Sequence, residues 1–188
     1  VVFNGDGYSE EWHQEAERRG LPNLKNTVDA LPVIVRKDAV ELFGKYKVFS
    51  EKELQSRYTI FCESYVKTIT IEANTMVNMA KTMILPAALR YQAEVAAAVN
   101  ATKAAGVDAG AQFDHLKELV GTVGKFQAAT HDLEHAVGHK HSGDPYTDAK
   151  ALRDTVLPKM SALRELGDKL ETMVADDLWP LPTYREML

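Results

Sequence analysis

Helical periodicity runs from Lys52 to Ala105 with Pro86 as its one interruption. Ser50 and Glu53 in the stretch SEKE form a capping box at its start, the pattern that satisfies two orphan amides at once. About 35 residues before the proline would extend roughly 50 Å at 1.5 Å each, longer than a small globular domain usually requires. Pro86 lacks an amide proton and crowds the preceding turn, so it is expected to kink this rod or split it in two.

The remaining punctuation fits further helices. Gly106 closes the rod, Asp108 caps a second helix running to about Val137 or Gly138, and KHSGD makes a turn. Asp144 caps and Pro145 opens a last long helix, which reaches about Ala175 with Pro158 inside it. The tail DDLWPLPTYREML, carrying Pro180 and Pro182, is expected to be extended at first and to dock by Trp179 and Tyr184.

The first 49 residues are read differently. Val1-Val2-Phe3 followed by Asn4-Gly5-Asp6-Gly7 resembles the end of a strand and its turn, cut from something larger. Ser9 caps EEWHQEAERR, and Gly20 with Pro22 ends it. Thr27 is the expected cap of a short turn at VDAL. Asp38 begins DAVELFGKY, with Val40, Leu42, Phe43 and Tyr46 as its buried side. The expected fold is all-α: an antiparallel bundle of three to four long helices over 50–178, a short irregular segment over 1–49 and a Pro-rich docking tail over 179–188.

Composition agrees. The 188 residues are 45% hydrophobic and 26% charged, enough for one soluble core, and with aromatics at only 8% the apolar surface comes mainly from Ala, Leu, Val and Met. A net charge of −5 disfavours a nucleic-acid surface. Cys62 stands alone, so no disulfide framework exists and a reducing compartment is expected. No apolar run is long enough to cross a bilayer and no secretion signal is present, which reads as cytoplasmic.

The residues that invite chemistry lie in HDLEHAVGH, where His131, His135 and His139 recur every fourth position on one helical face. That face lies roughly 105° to 185° from the centre of the apolar side formed by Phe113, Leu119, Val123, Phe126, Leu133 and Val137, counting about 100° per residue. His131 and His139 are also about 12 Å apart along the axis, so three imidazoles cannot share one ion with bonds of about 2.1 Å. Two of them could supply half a coordination sphere. The bland account is an exposed helix end whose Glu134 and Asp132 sit within reach of His131 and His135.

Other groupings are weaker. Met76, Met79 and Met83 beside Ile69, Ala80 and Ile84 read as core packing. Glu63 and Glu72 lack the Glu-x-x-His partners of a di-metal bundle: His115 has no Glu three residues before it, and His135 has Asp132 instead. Asn4-Gly5-Asp6-Gly7 lacks the lysine and spacing of a phosphate loop. Cys62 has no histidine at catalytic spacing. No catalytic, cofactor-binding or metal residue is assigned.

FNGDGYSEEWHQEAERRGLPNLKNTVDALP resembles the segment that closes the catalytic domain of type III glutamine synthetases, and SEKELQSRY, IEANTMVNMAKTMILPAALRYQ and DDLWPLPTYREML continue the match in the family's order, so that residues 1–49 would be the end of that domain and its connector and the rest the carboxy-terminal helical region. The resemblance implies an intact enzyme that ligates ammonia to glutamate using ATP and Mg or Mn, in a cytoplasmic homo-oligomer of stacked hexameric rings. It also implies that the metal-binding carboxylates, the phosphate-contacting arginines and the nucleotide pocket lie upstream, in a catalytic domain that this segment and neighbouring subunits would pack against. None of those motifs matches a position here. The sequence departs from the family pattern at Lys45-Tyr46-Lys47-Val48, where a glycine is expected in place of Lys47, and in its histidine stripe. Two other readings stand beside this one: a free-standing helical interaction module, and a metal-sensing bundle built on His131, His135 and His139.

Overall fold

The structure is a computed structural model that describes residues 3–138 and 142–187, with the backbone alone for 184 and 185. Among these residues there is no strand. Two compact units divide within one long helix, as Val1–Cys62 and Glu63–Leu188.

In the first unit short helices are fixed by local hydrogen bonds. Helix α1 (Glu10–Arg18) begins where the Ser9 hydroxyl accepts from Trp12 N at 3.3 Å. Helix α2 (Thr27–Ala30) is capped by Asn26, whose side chain accepts from Asp29 N at 2.9 Å. The cap therefore sits one residue before Thr27, because the Asn26 carboxamide supplies both an acceptor and a donor, the latter to Asp29 Oδ2 at 2.7 Å. A 3₁₀ turn (Leu31–Val35) leads to α3 (Lys37–Lys45). Val40 and Phe43 are half-buried, but Leu42 and Tyr46 are exposed, so the apolar side of α3 is narrower than its sequence suggests. Buried hydrophobic residues of this unit are Val28, Leu54 and Cys62.

The strand expected at Val1-Val2-Phe3 falls partly outside the described residues. Phe3 itself is irregular and sets its ring 4.8 Å from that of Trp12.

Helix α4 (Glu51–Met79) starts at the expected capping box: Ser50 N donates to Glu53 Oε2 at 2.7 Å, and Glu53 N donates to Ser50 Oγ at 3.4 Å. Pro86 does not split the rod. The helix widens into a π turn (Ala80–Ile84) closed by Leu85 N–H donating to the Ala80 carbonyl, and α5 (Leu85–Ala104) follows without a gap. The added residue per turn makes room for the proline ring, which would otherwise meet the carbonyl four residues back. Pro158 is handled the same way: α7 (Pro145–Ala151), a π turn (Leu152–Val156) closed by Leu157 N–H to the Leu152 carbonyl, then α8 (Leu157–Glu171). Each π turn follows the same recipe of a β-branched residue, Leu and Pro at its end: Ile84-Leu85-Pro86 and Val156-Leu157-Pro158.

Gly106, at φ +76°, ends the first rod with Gly106 N donating to Lys103 O and Val107 N to Thr102 O, the paired bonds of a Schellman cap. Helix α6 (Gly110–Val137) begins two residues after Asp108, whose carboxylate accepts from Gly110 N at 3.2 Å. Ala109 holds the cap position. Helix α8 stops at Glu171, short of Ala175, because Leu170 O already accepts from Met173 and Val174 N while the Thr172 hydroxyl takes the Lys169 carbonyl at 2.8 Å. The tail turns through 175–179 with Trp179 N bonded to Ala175 O at 3.1 Å, so it is not extended at first. Trp179 docks in the core; the Tyr184 side chain lies outside the described residues.

The rods of the second unit alternate in direction. Lys81 meets Glu134 at 2.5 Å and the Tyr91 ring meets His115 at 6.3 Å, so α4–α5 runs against α6. Lys169 meets Glu118 at 2.7 Å while Gly167 faces Phe126, so α6 runs against α8. Leu119, Val123, Phe126 and Leu133 are buried on the expected face of α6, with Val137 packed beside them. Phe113 is 47% exposed despite its place on that face. Continuing the register that sets Lys169 against Glu118 would place a partner for Phe113 beyond Glu171, where α8 has ended; Lys103 covers the ring instead, its ammonium 4.5 Å from the centroid.

Candidate functional site

The histidine face of α6 is the cluster that the sequence singles out, and the structure places two of its members together. His131 and His135 are exposed and line one hollow of about 410 Å³ with Asp132, Thr155 and Lys159, the last two from the rod that packs against α6. His139 lies outside the described residues. Glu134 turns to the other flank, where the Lys81 ammonium holds its carboxyl below the usual carboxylate range and His131 adds a smaller push in the same direction. Among the described residues no three His, Cys, Asp or Glu side chains converge at metal-binding distance. A cation here would have two imidazoles and would face the Lys159 ammonium across the hollow.

The other singled-out residues are dispersed. Glu63 is exposed and 3.9 Å from Lys67, and Glu72 is exposed two turns further along the same helix. Half-buried His115 sits edge-on to Tyr91, as core aromatics do. Cys62 is fully buried and carries no disulfide. The turn expected at Asn4–Gly7 lies two residues further on, over Asp6–Ser9, where the Asp6 carboxylate accepts from Tyr8 N at 2.9 Å and its carbonyl from Ser9 N at 3.1 Å. Several of the lysines and arginines are matched to carboxylates. Arg18 and Arg19 hold Glu15 down to about 2, Arg36 lowers Asp38, and Lys169 lowers Glu118. Burial raises the Tyr65 hydroxyl, partly offset by Arg153.

Sequence reasoning missed a second concavity, enclosed by Met76, Met79, Phe126, Leu163 and Trp179. The methionine spacing was its only local signal, and it reads equally as core packing; Met76 does pack against the core as well as lining the hollow.

Comparison with known proteins decides what these helices belong to. The family model described as glutamine synthetase C-terminal domain matches residues 1–103. The chain belongs to that family. It is 36% identical over its whole length to the type-3 glutamine synthetase of Dictyostelium discoideum, and 31% identical, again over its whole length, to glutamine synthetases of Butyrivibrio fibrisolvens and Bacteroides fragilis strain YCH46. It spans 26–27% of the length of these relatives, and so corresponds to the carboxy-terminal part of a glutamine synthetase. No helix among the described residues is long and apolar enough to cross a membrane.

Proposed function

We propose that this chain is the architectural, carboxy-terminal part of a glutamate–ammonia ligase whose intact polypeptide couples ATP cleavage to glutamine formation. The observation that carries this reading is full-length similarity to about a quarter of each glutamine synthetase relative. In the intact enzyme ATP and Mg or Mn would be held by the remaining three-quarters, because phosphoryl transfer needs several negative charges neutralised on one rigid scaffold. The lysines and arginines here are instead spread over helix faces in local pairs such as Arg36–Asp38 and Arg164–Asp168.

The segment's own task is contact. Ile71, Leu89, Phe113 and Val120 are large apolar residues left exposed on the long helices, and such surface suits packing against the catalytic domain or neighbouring subunits. Stacked hexameric rings in the cytoplasm are the assembly this reading takes, with neither nucleic acid nor membrane as a partner. The test compares γ-glutamyl transferase and ATP-dependent biosynthetic activity of the gene's full-length product with that of the 188-residue chain under identical Mg or Mn. Activity in the former and none in the latter is expected. An inactive full-length product would overturn the ligase reading in favour of a free-standing interaction module.

A further inference from the structure

Asparagine is a chemically labile residue, because the backbone nitrogen of the following residue can attack its side-chain carboxamide. A Cβ on that following residue hinders the approach, and glycine removes the hindrance. Asn4 precedes Gly5, whereas the other asparagines precede Leu24, Thr27, Thr75, Met79 and Ala101.

The structure leaves the attack open at Asn4. Asn4 and Gly5 are exposed and lie just before the turn at Asp6–Ser9, and among the described residues neither the Asn4 carboxamide nor the Gly5 amide makes a hydrogen bond. Packing sets the glycine: a Cβ at Gly5 would stand 2.7 Å from Cε1 and Cζ of Phe3, whose ring centroid is 4.8 Å from that of Trp12. The missing side chain that admits the Phe3 ring also bares the Gly5 nitrogen. Elsewhere the attack is closed. Asn74, Asn78 and Asn100 lie inside α4 and α5, where the next amide is committed to the helix ladder. The Asn26 carboxamide is engaged by Asp29 N at 2.9 Å and by Asp29 Oδ2 at 2.7 Å. Asn23 is also exposed and irregular but precedes Leu24, so it separates the effect of exposure from that of glycine.

We propose that Asn4 is a self-modification site, at which the Gly5 backbone nitrogen closes on Asn4 Cγ and the residue becomes aspartate or isoaspartate. The Gly5 N–Cγ bond forms as the Cγ–Nδ2 bond breaks, and the Gly5 amide proton departs with Nδ2 as ammonia. Water then opens the cyclic imide at either carbonyl. Nothing is oxidised or reduced, and water is the co-reactant. The product carries one more negative charge, and the isoaspartate form lengthens the backbone by a methylene next to Phe3. Asp6–Gly7 shares the glycine but reacts more slowly, because its carboxylate has no ammonia to expel and its Oδ1 already accepts from Tyr8 N at 2.9 Å. The inference does not depend on the ligase reading.

The gene's full-length product and the 188-residue chain are aged at pH 7 and pH 9 and compared with unaged samples by peptide mass mapping. An isoaspartate O-methyltransferase with labelled S-adenosylmethionine reports isoaspartate. Both chains should acquire the acidic form at position 4 while Asn23 stays intact, and faster at pH 9, where the attacking nitrogen gives up its proton more readily. Asn4→Gln, whose longer side chain would have to close a six-membered ring, should abolish the change at position 4 and most of the methylation. The same chain in urea should react at Asn4 at a similar rate, since the fold does not restrain it. An intact Asn4 in the aged full-length product, a rate at Asn4 no greater than at Asn23, or a many-fold acceleration in urea would overturn the proposal. So would methylation undiminished by Asn4→Gln, which would assign the isoaspartate to Asp6.

Discussion

The two compact units solve the problem of holding helices in place by different means. In Val1–Cys62 the helices that precede α4 are short and held by local bonds, side-chain caps on α1 and α2 and ion pairs on α1 and α3, and among the described residues the buried hydrophobic ones are Val28, Leu54 and Cys62. In Glu63–Leu188 one cluster of buried side chains runs from Ala73 through Phe126 and Leu163 to Trp179, and local bonds are secondary. Short helices are marginal in water on their own, whereas long amphipathic ones draw their stability from packing. The first unit should therefore answer to changes in backbone geometry and capping, and the second to changes in side-chain volume.

The largest expected effect tests the second half of that contrast. Phe126 is 1% exposed at the centre of the core, and Phe126→Ala should cost about 3–5 kcal/mol, read as a fall in urea midpoint with little change in slope. Leu42→Ala in the first unit, at a side chain 55% exposed, should stay within about 0.5 kcal/mol. Similar losses for the two would erase the distinction.

Capping comes next. Ser9→Ala removes the acceptor for Trp12 N and should cost about 1 kcal/mol, seen as lost protection of the amides in the first turn of α1 by hydrogen exchange. An unchanged exchange pattern would mean that α1 is held by packing after all.

Lys47 sharpens the comparison in the opposite direction. Among the described residues it is the non-glycine residue with positive φ, +53°, and it closes α3 by the same paired bonds that Gly106 makes: Lys47 N to Gly44 O and Val48 N to Phe43 O. The geometry that suits glycine is thus kept with a lysine in it. Relief of the Cβ clash is partly offset by the greater unfolded-state freedom of glycine, so Lys47→Gly should raise stability by about 0.5–1 kcal/mol in thermal unfolding.

The smallest effect is electrostatic. Hydrogen bonds from Arg18, then Arg19, hold the Glu15 carboxyl down from 4.5 to about 2. A depressed folded-state value stabilises the helix above the unfolded value, and that contribution fades as pH falls from about 4.5 towards 2. Glu15→Gln should flatten this acid limb when α1 is followed by helix-sensitive exchange. Solvent screening keeps the effect modest, and 0.5 M salt should shrink it further.

Local chemistry made several features legible in the sequence. The Ser9 and Asp144 caps, the Ser50–Glu53 box, the Gly106 stop and the buried face of α6 all depend on residues a few positions apart, so pattern alone locates them. The carboxy-terminal glutamine synthetase character was legible too, because whole blocks of the chain carry it from first to last. The exposure of His131 and His135 followed from counting angles on one helix.

Tertiary structure decided whatever depends on two rods meeting. Helical rules predict trouble at Pro86 and Pro158, but packing on α6 rewards continuity, and a π turn supplies it at the cost of one altered turn. Glu134 was within local reach of His131, yet Lys81, 53 residues away, takes it. Phe113 lies on the apolar face and is still exposed, because the end of α8 is set by bonds at Leu170 and Thr172 far along the chain. The cavity beside Trp179 belongs to the same class: its walls come from three rods and the tail, and no single stretch of sequence contains it. Periodicity fixes which face of a helix is apolar, whereas the lengths and registers of its neighbours fix how much of that face is covered.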